Sequence, residues 1–174
     1  REEVDLVGLL VDTVADARAA GPEHDWQLDL AVLEPPAGAT QEEAEDFLPE
    51  PPLVIGDEAR LRQVVVNLLA NARVHTPAGS HVTTTLMRES DTLIVRIHDD
   101  GPGIAPDVRD RLFERFARGD SSRERRTGST GLGMSIALAI VQSHGGSIDV
   151  DSSTASEDHG TTFTVRLPAA VVEE

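Results

Sequence analysis

Residues 92–104 read TLIVRIHDDGPGI, an apolar run that ends in two aspartates and a glycine-containing turn. The run predicts a β-strand, and the glycines allow a tight turn in which a ligand can approach the backbone closely. A carboxylate at the strand end, Asp99, could accept a hydrogen bond from an exocyclic amine such as that of adenine. A tight turn with solvated carboxylates is the alternative interpretation of the same residues.

Upstream of this turn, residues 67–77 read NLLANARVHTP. They lie at the end of a predicted helix that Asp57 caps and that runs to about residue 75. Asn67 and Asn71 are four residues apart, so they lie on the same side of that helix, beside its apolar stripe. Asparagine is unfavourable in a helix interior, and two in register indicate amides directed into a cleft, where their oxygens could ligate Mg²⁺. Exposure without a role is the alternative.

Downstream, residues 128–134 read GSTGLGM and lead into an apolar helix that ends near residue 145. A glycine-rich loop at a helix N-terminus presents free N–H groups and the positive end of the helix dipole to an anion. The loop does not follow a strand, which argues against a dinucleotide site of the Rossmann type.

The charge distribution also indicates an anion site near the glycine-rich loop. The chain of 174 residues has 31 acidic and 15 basic residues and a formal charge of −16, which disfavours binding to nucleic acid or to an anionic membrane. All the basic residues are arginine, and seven of them lie between residues 109 and 126, just before the glycine-rich loop. A solvated helix is the alternative to a site for an anionic ligand. The absence of lysine excludes a P-loop and a eukaryotic-type kinase.

The remaining patterns predict one domain over residues 1–174 of the α+β class. A helix is expected over residues 4–20, and strands are expected at residues 26–32, 53–55, 82–88, 92–98, 147–151 and 162–167. Helices on one face of a mixed, mostly antiparallel sheet, a two-layer α/β sandwich, are the economical packing. Residues 34–52 are acidic, rich in proline and without a period, which predicts a mobile surface loop.

Taken in order, NLLANARVHTP, DDGPGI, FERFARGD, GSTGLGM and AIVQSHGG resemble the successive N, first glycine, F and second glycine boxes of sensor histidine kinases. That family shares an ATP-binding fold with gyrase, Hsp90 and MutL. The resemblance extends from VDLVGLLVDTV near the start of the chain to GTTFTVRLP near its end. It implies the Bergerat-type ATP-binding fold, in agreement with the two-layer sandwich.

The resemblance implies an adenine pocket around Asp99. In that pocket Asp99 would accept the adenine amine, and Gly101 and Gly103 would shape the cavity. Ile104 would pack against the base, and Thr161 would support it through a water molecule.

The resemblance also implies a phosphate and metal site. Asn71 would ligate Mg²⁺ with Asn67 beside it, and Arg118 would act with them in catalysis. Arg118 and Arg123 would meet the phosphates. The residues expected to cradle the phosphates at the helix N-terminus are Thr130, Gly131, Leu132 and Gly133. A lid over the ATP is expected at residues 117–130, and the aromatic residues expected to anchor it are Phe113 and Phe116.

None of the six histidines lies in the phosphoacceptor pattern of the family. His75 is expected at the edge of the ATP site, and His144 is expected in a structural or site-edge role. The histidines expected at ordinary polar positions are His24, His81, His98 and His159. The acceptor histidine would therefore lie on a separate dimerisation domain of the full-length kinase, and the isolated chain would not autophosphorylate.

By the same resemblance, the partners would be ATP, the dimerisation domain and a response regulator, with no nucleic acid and no direct membrane contact. The fragment would be a cytoplasmic domain of a membrane-anchored sensor kinase. Three alternatives share parts of the pattern. A serine kinase acting on anti-sigma antagonists would lack the F box and the leading VDL helix. A gyrase-type ATPase would carry a glutamate where this chain has Asn67. A nucleotide-gated interaction module would bind ATP without transferring phosphate.

Overall fold

The structure is a computed structural model that describes residues 1–112 and 131–172. The strands are β1 (Glu2–Asp5), β2 (Asp25–Asp29), β3 (Leu53–Gly56), β4 (His81–Glu89), β5 (Thr92–Asp99), β6 (Ser147–Ser153) and β7 (Gly160–Pro168). The helices are α1 (Leu6–Ala20), α2 (Gln41–Glu45), α3 (Glu58–His75), α4 (Pro106–Arg111) and α5 (Gly131–Ser143), with one 3₁₀ turn at Ala31–Leu33. None of these helices combines the length and the apolar character that a membrane span requires.

Five strands form one sheet in the order β2-β4-β5-β7-β6. The β2–β4 pair is parallel and the other three pairs are antiparallel. Strands β1 and β3 form a separate antiparallel pair. The helices cover one face of the large sheet, so the sequence-based prediction of a two-layer sandwich with a mixed, mostly antiparallel sheet is confirmed.

The buried face of the sheet is apolar because side chains alternate along each strand. Its central residues are opposite one another across the register and belong to one core with α1, α3 and α5. They are Val82, Leu86, Leu93, Val95, Ile97, Phe163, Val165 and Leu167. The other face is more polar, with residues such as Thr83, Arg96, His98, Thr162 and Arg166. This alternation determines which side chains at the strand ends face the helices.

His144 connects the end of α5 to the start of α3. Its Nε2 accepts a hydrogen bond from the Asp57 backbone N–H at 3.1 Å, so Nδ1 carries the proton and donates to the Ile140 carbonyl at 2.7 Å. A Cβ at Gly56 would lie 2.4 Å from His144 Cδ2, so only glycine fits beneath the ring. His144 therefore has the structural role expected for it, and it fixes two helices that border the candidate site.

Two segments differ from the sequence-based prediction. Val4 was predicted to start the first helix, but it lies in β1 opposite Val54, and α1 begins at Leu6 with Asp5 as its N-cap. The strand predicted at residues 26–32 ends at Asp29 and is followed by the 3₁₀ turn. The strand pairing of Val4 explains the first difference, because a partner fifty residues away outweighs local helical spacing.

The acidic segment at residues 34–52 contains the short helix α2, which was not predicted. Thr40 caps α2 and forms a capping box with Glu43, whose side chain accepts from the Thr40 backbone N–H at 2.7 Å. No residue of α2 is buried. The segment is thus a surface element with one turn of regular structure, and its mobility stays a prediction.

Candidate functional site

Asp99 occupies the last position of β5, on the face of the sheet that the helices cover. It shares that face with Val95 and Ile97 because side chains alternate along the strand. In the register it lies opposite Val82 of β4 and Thr161 of β7. Only 6% of Asp99 is exposed. A carboxylate therefore lies at the end of the apolar core, on the face of the sheet that the helices cover.

Two glycines shape the turn that follows Asp99. The Gly101 backbone N–H donates to Asp99 Oδ1 at 3.0 Å, and a Cβ at Gly101 would lie 2.5 Å from Thr76 Cγ2. Gly103 has a φ of 81°, and a Cβ there would lie 2.1 Å from the Ser153 carbonyl oxygen. Both positions therefore require glycine for packing alone, and their role in admitting a ligand stays a prediction.

The electrostatics of this end of the sheet are set by burial. Burial raises the pKa of Asp99 above its usual value of 3.8, although the N–H groups of Gly101 and Thr161 donate to the carboxylate and oppose the rise. The pKa of His75, at the end of α3, is lowered because its surroundings remove water from the imidazole, and the Asp99 charge partly offsets this. Both pKa shifts favour the uncharged forms of the two side chains, as expected for groups at the end of an apolar sheet.

Asp99 should couple the stability of the ligand-free chain to pH. Its pKa is higher in the folded than in the unfolded chain, so the stabilisation present at low pH is lost as the pH rises through the folded pKa. Asparagine cannot ionise. We therefore expect the Asp99→Asn variant to become progressively more stable than the wild type as the pH is raised from ~4 to ~7. Urea unfolding of both proteins across this range measures the difference, and a difference that does not change with pH would contradict the assignment.

Asp100, the neighbouring carboxylate, lies on the opposite face. It accepts from the His81 backbone N–H at 2.7 Å and from His81 Nδ1 at 2.8 Å. Partial burial raises the pKa of Asp100, but the hydrogen bonds from His81 outweigh it and hold that pKa below its usual value. Asp100 thus holds the start of β4 to the end of β5. Asp99 is the carboxylate that faces the helices.

One side of α3 carries Asn67, Asn71 and His75 at intervals of four residues. Asn67 and Asn71 are half-buried. Asn67 Nδ2 donates to the Gly133 carbonyl in the first turn of α5 at 3.3 Å, so its amide oxygen is the atom that can accept a bond or ligate a cation. The structure therefore brings Asn67 into contact with the start of α5, two features that the sequence predicted separately.

The hairpin between β6 and β7 supplies contacts that sequence reasoning missed. Ser152 Oγ accepts from the Ile104 backbone N–H at 2.7 Å, donates to the Gly160 carbonyl at 3.0 Å and lies 2.9 Å from Thr161 Oγ1. Thr161 is buried beside Asp99. Thr161, which was predicted to lie near the base, thus has a polar neighbour in Ser152. The sequence carries no distinctive signal for Ser152.

Two histidines expected at ordinary polar positions form contacts near the turn, but only His24 is buried, so the prediction was wrong for His24 and holds for the exposed His159. His24 is buried, and its Nε2 lies 2.8 Å from Thr76 Oγ1. His159 Nδ1 lies 2.6 Å from the Gly101 carbonyl oxygen. Neither histidine is part of a local sequence pattern that predicts its contact.

Several predicted site residues lie outside the described residues. They are Phe113, Phe116, Arg118, Arg123 and Thr130, and with them the whole of the predicted lid at residues 117–130. Gly131 and Leu132 form the start of α5, where the sequence placed the beginning of the helix.

The donor groups suit a nucleotide with its magnesium ion. In the described part of the chain no group of three or more histidine and carboxylate side chains is arranged to hold a metal. The amide oxygens of Asn67 and Asn71 are hard oxygen ligands, which suit Mg²⁺ when it also keeps phosphate oxygens and waters. A buried acceptor at the sheet end, amides on α3 and backbone N–H groups at the N-terminus of α5 are the kinds of group that could bind a base, a cation and phosphates respectively.

Comparisons with known proteins agree with this geometry. Residues 56–171 match the family described as histidine kinase-, DNA gyrase B-, and HSP90-like ATPase. The chain is 48% identical over 168 residues to the probable sensor histidine kinase TcrY of Mycobacterium tuberculosis, a match that covers 97% of this chain and 31% of that protein. The chain thus spans about a third of the length of this curated relative.

Two solved structures are also similar. The mycobacterial sensor histidine kinase MprB superposes with a TM-score of 0.75 and 27% identity, over 98% of this chain and 99% of that one. Full-length ShkA in complex with AMPPNP superposes with a TM-score of 0.72 and 26% identity, over 98% of this chain and 31% of that one. The fold described above is therefore that of known histidine kinase catalytic domains.

Proposed function

Because the chain belongs to the family of histidine kinase-, DNA gyrase B- and HSP90-like ATPases, we propose that it binds Mg–ATP and donates the γ-phosphoryl group to a histidine. It is a catalytic ATPase domain of the sensor histidine kinase type. In this proposal residues 1–174 act as one catalytic domain. The acceptor histidine lies on a separate dimerisation domain of the same kinase.

The observation that carries the proposal is the buried carboxylate of Asp99 at the end of an apolar sheet. The carboxylate accepts from the backbone N–H groups of Gly101 and Thr161 and can still accept further donors, and the exocyclic amine of adenine is a donor of the right kind. Gly101 and Gly103 contribute no side chains to the turn. Ile104 would contribute an apolar surface, and Thr161 lies beside the carboxylate. Burial lowers the pKa of His75 and the Asp99 charge partly offsets this, so the two groups are close, and His75 would border the same pocket.

The phosphates would extend from this pocket towards α5. Gly131, Leu132 and Gly133 present backbone N–H groups at a helix N-terminus, an arrangement that favours phosphate. Asn71, with Asn67 beside it, would hold Mg²⁺, which when bound neutralises phosphate charge. We assign Thr130 and the lid at residues 117–130, together with Arg118, Arg123 and the aromatic Phe116, to closure over the triphosphate.

The reaction would be an in-line displacement at the γ-phosphorus. A bond forms from the acceptor histidine nitrogen to phosphorus as the bond to the ADP oxygen breaks. The residues of this chain would contribute by positioning and by charge neutralisation rather than by covalent chemistry. The other product, ADP, would be released from the chain. The phosphoryl group would pass to a response regulator, and the domain would act on the cytoplasmic side of a membrane-anchored sensor.

Phosphate transfer to a separate acceptor tests this proposal. The chain is incubated with γ-labelled ATP and Mg²⁺, alone and with a dimerisation domain that carries an acceptor histidine. We expect acid-labile phosphate on the acceptor only, because none of the six histidines of this chain lies in the phosphoacceptor pattern of sensor histidine kinases. Labelling of the chain alone would contradict the separation of donor and acceptor. Release of inorganic phosphate without transfer would favour an ATPase instead.

A further inference from the structure

The turn after Asp99 is held by the hairpin of β6 and β7, whose His159 lies 58 residues beyond Gly101. His159 Nδ1 lies 2.6 Å from the Gly101 carbonyl oxygen. A carbonyl oxygen only accepts, so Nδ1 carries the proton and donates. The residue is on the loop that leads into β7, two positions before Thr161.

With this contact, both the N–H and the carbonyl group of Gly101 form hydrogen bonds. The Gly101 N–H donates to Asp99 Oδ1 at 3.0 Å, and the Gly101 carbonyl accepts from His159, so the residue is fixed on both sides. Gly101 has no side chain that could restrict its backbone, and glycine is the residue with the most conformational freedom. Without His159, the residue whose N–H orients the Asp99 carboxylate would be held only by that bond and by its packing against Thr76.

The far end of the turn is fixed by the same hairpin. The Ile104 N–H donates to Ser152 Oγ at 2.7 Å, and Gly103 lies against the Ser153 carbonyl. The hairpin therefore contacts the turn at Gly101 and again at Ile104. Of these contacts, the one from His159 bears most directly on Asp99, because a single residue links them.

We propose that His159 is a positioning residue for recognition of the nucleotide base, acting through Gly101 to hold the Asp99 carboxylate in the orientation that accepts the adenine amine. The inference rests on the proposed function, since it presupposes that Asp99 meets the base. Guanine carries a carbonyl where adenine carries this amine, so an oriented acceptor favours adenine. A loosened carboxylate loses that preference before it loses affinity for the triphosphate.

The test compares the affinities for ATP and GTP of the wild type, His159→Ala and His159→Asn. Asparagine is the matched variant because its Nδ2 lies at a similar distance from the backbone as the histidine Nδ1 and also donates. We expect His159→Ala to lose about 5- to 10-fold in ATP affinity, the effect of one hydrogen bond, with GTP affinity changed less than about 2-fold. His159→Asn should retain the wild-type ratio within about 2-fold. Glu157→Ala, on the same exposed loop, should leave both affinities unchanged.

Three outcomes would overturn the role of His159. The ATP to GTP ratio of His159→Ala could equal that of the wild type, both affinities could fall together with the thermal midpoint, or His159→Asn could behave like the alanine variant. The second outcome would make the contact structural only. A wild-type chain that binds no ATP would instead contradict the proposed function, before any variant is compared, and the recognition role would fall with it.

Discussion

Replacement of Asp99 by asparagine should weaken ATP binding by about 100-fold while the protein stays folded. The amide has the shape of the carboxylate, but it lacks the charge, and it can present a donor to the adenine amine. The loss of a charge-assisted bond and the burial of an unmatched donor cost about 3 kcal/mol together, which corresponds to that factor. Calorimetric titration with ATP in the presence of Mg²⁺ measures the change.

The neighbouring residue provides a matched control for this prediction. Asp100→Asn removes a carboxylate one position along the chain, but that carboxylate faces His81 on the other side of the sheet. We expect its ATP affinity to stay within about 3-fold of the wild type, the scale of a single partly exposed interaction. Equal losses in the two variants would show that general charge, and not the position of Asp99, determines binding.

The two effects of Asp99→Asn should have opposite signs. Burial raises the pKa of Asp99, so the ionised form destabilises the folded chain near neutral pH, and asparagine removes that cost. A variant that unfolds at higher urea concentration than the wild type at neutral pH yet fails to bind ATP would separate the ligand role of Asp99 from any structural role. Loss of both stability and binding would indicate a structural residue.

Replacement of Asn71 by alanine should lower phosphoryl transfer by about 100-fold or more, which is typical when one preorganised electrostatic contact to a transition state is lost. The reason is the amide oxygen, which in the proposed site ligates Mg²⁺ beside the phosphates. ATP binding without Mg²⁺ should change little. The rate of acceptor labelling as a function of Mg²⁺ concentration measures the effect, and the variant should need more Mg²⁺ to reach half of its maximal rate.

Gln63→Ala is the control for Asn71→Ala, because Gln63 is an exposed amide two turns earlier on the same helix. It should transfer phosphate at the wild-type rate within about 2-fold, since most exposed substitutions have small effects. An Asn71→Ala variant with an unchanged Mg²⁺ dependence would remove this residue from the metal site. In that case the half-buried pair on α3 would have a packing role only.

The parts of the fold that the sequence predicted well are those with local signals. The end of β5 at Asp99 and the start of α5 at Gly131 follow from an apolar run and from a glycine-rich loop, and both are where they were expected. The helix that contains Asn67 was also predicted with its Asp57 cap, because capping and helical spacing act within a few residues.

The parts that the sequence did not predict depend on partners far along the chain. Val4 reads as the first residue of a helix until its strand partner Val54 is known. His159 reads as a polar loop residue, and only the fold places it on Gly101. In both cases the deciding interaction is tertiary, so no window of local sequence contains it.

The order of the large sheet makes β2 and β6 its edge strands, and among the described residues no further strand pairs with either of them. A free edge is a template onto which a strand from another molecule can add, which is how many sheets polymerise. Both edges carry exposed aspartates, Asp25 and Asp29 on β2 and Asp149 and Asp151 on β6. Two copies aligned edge to edge would bring like charges together on a chain that already carries −16. The acidity that disfavours binding to nucleic acid should therefore also disfavour edge-to-edge assembly of this domain into fibrils.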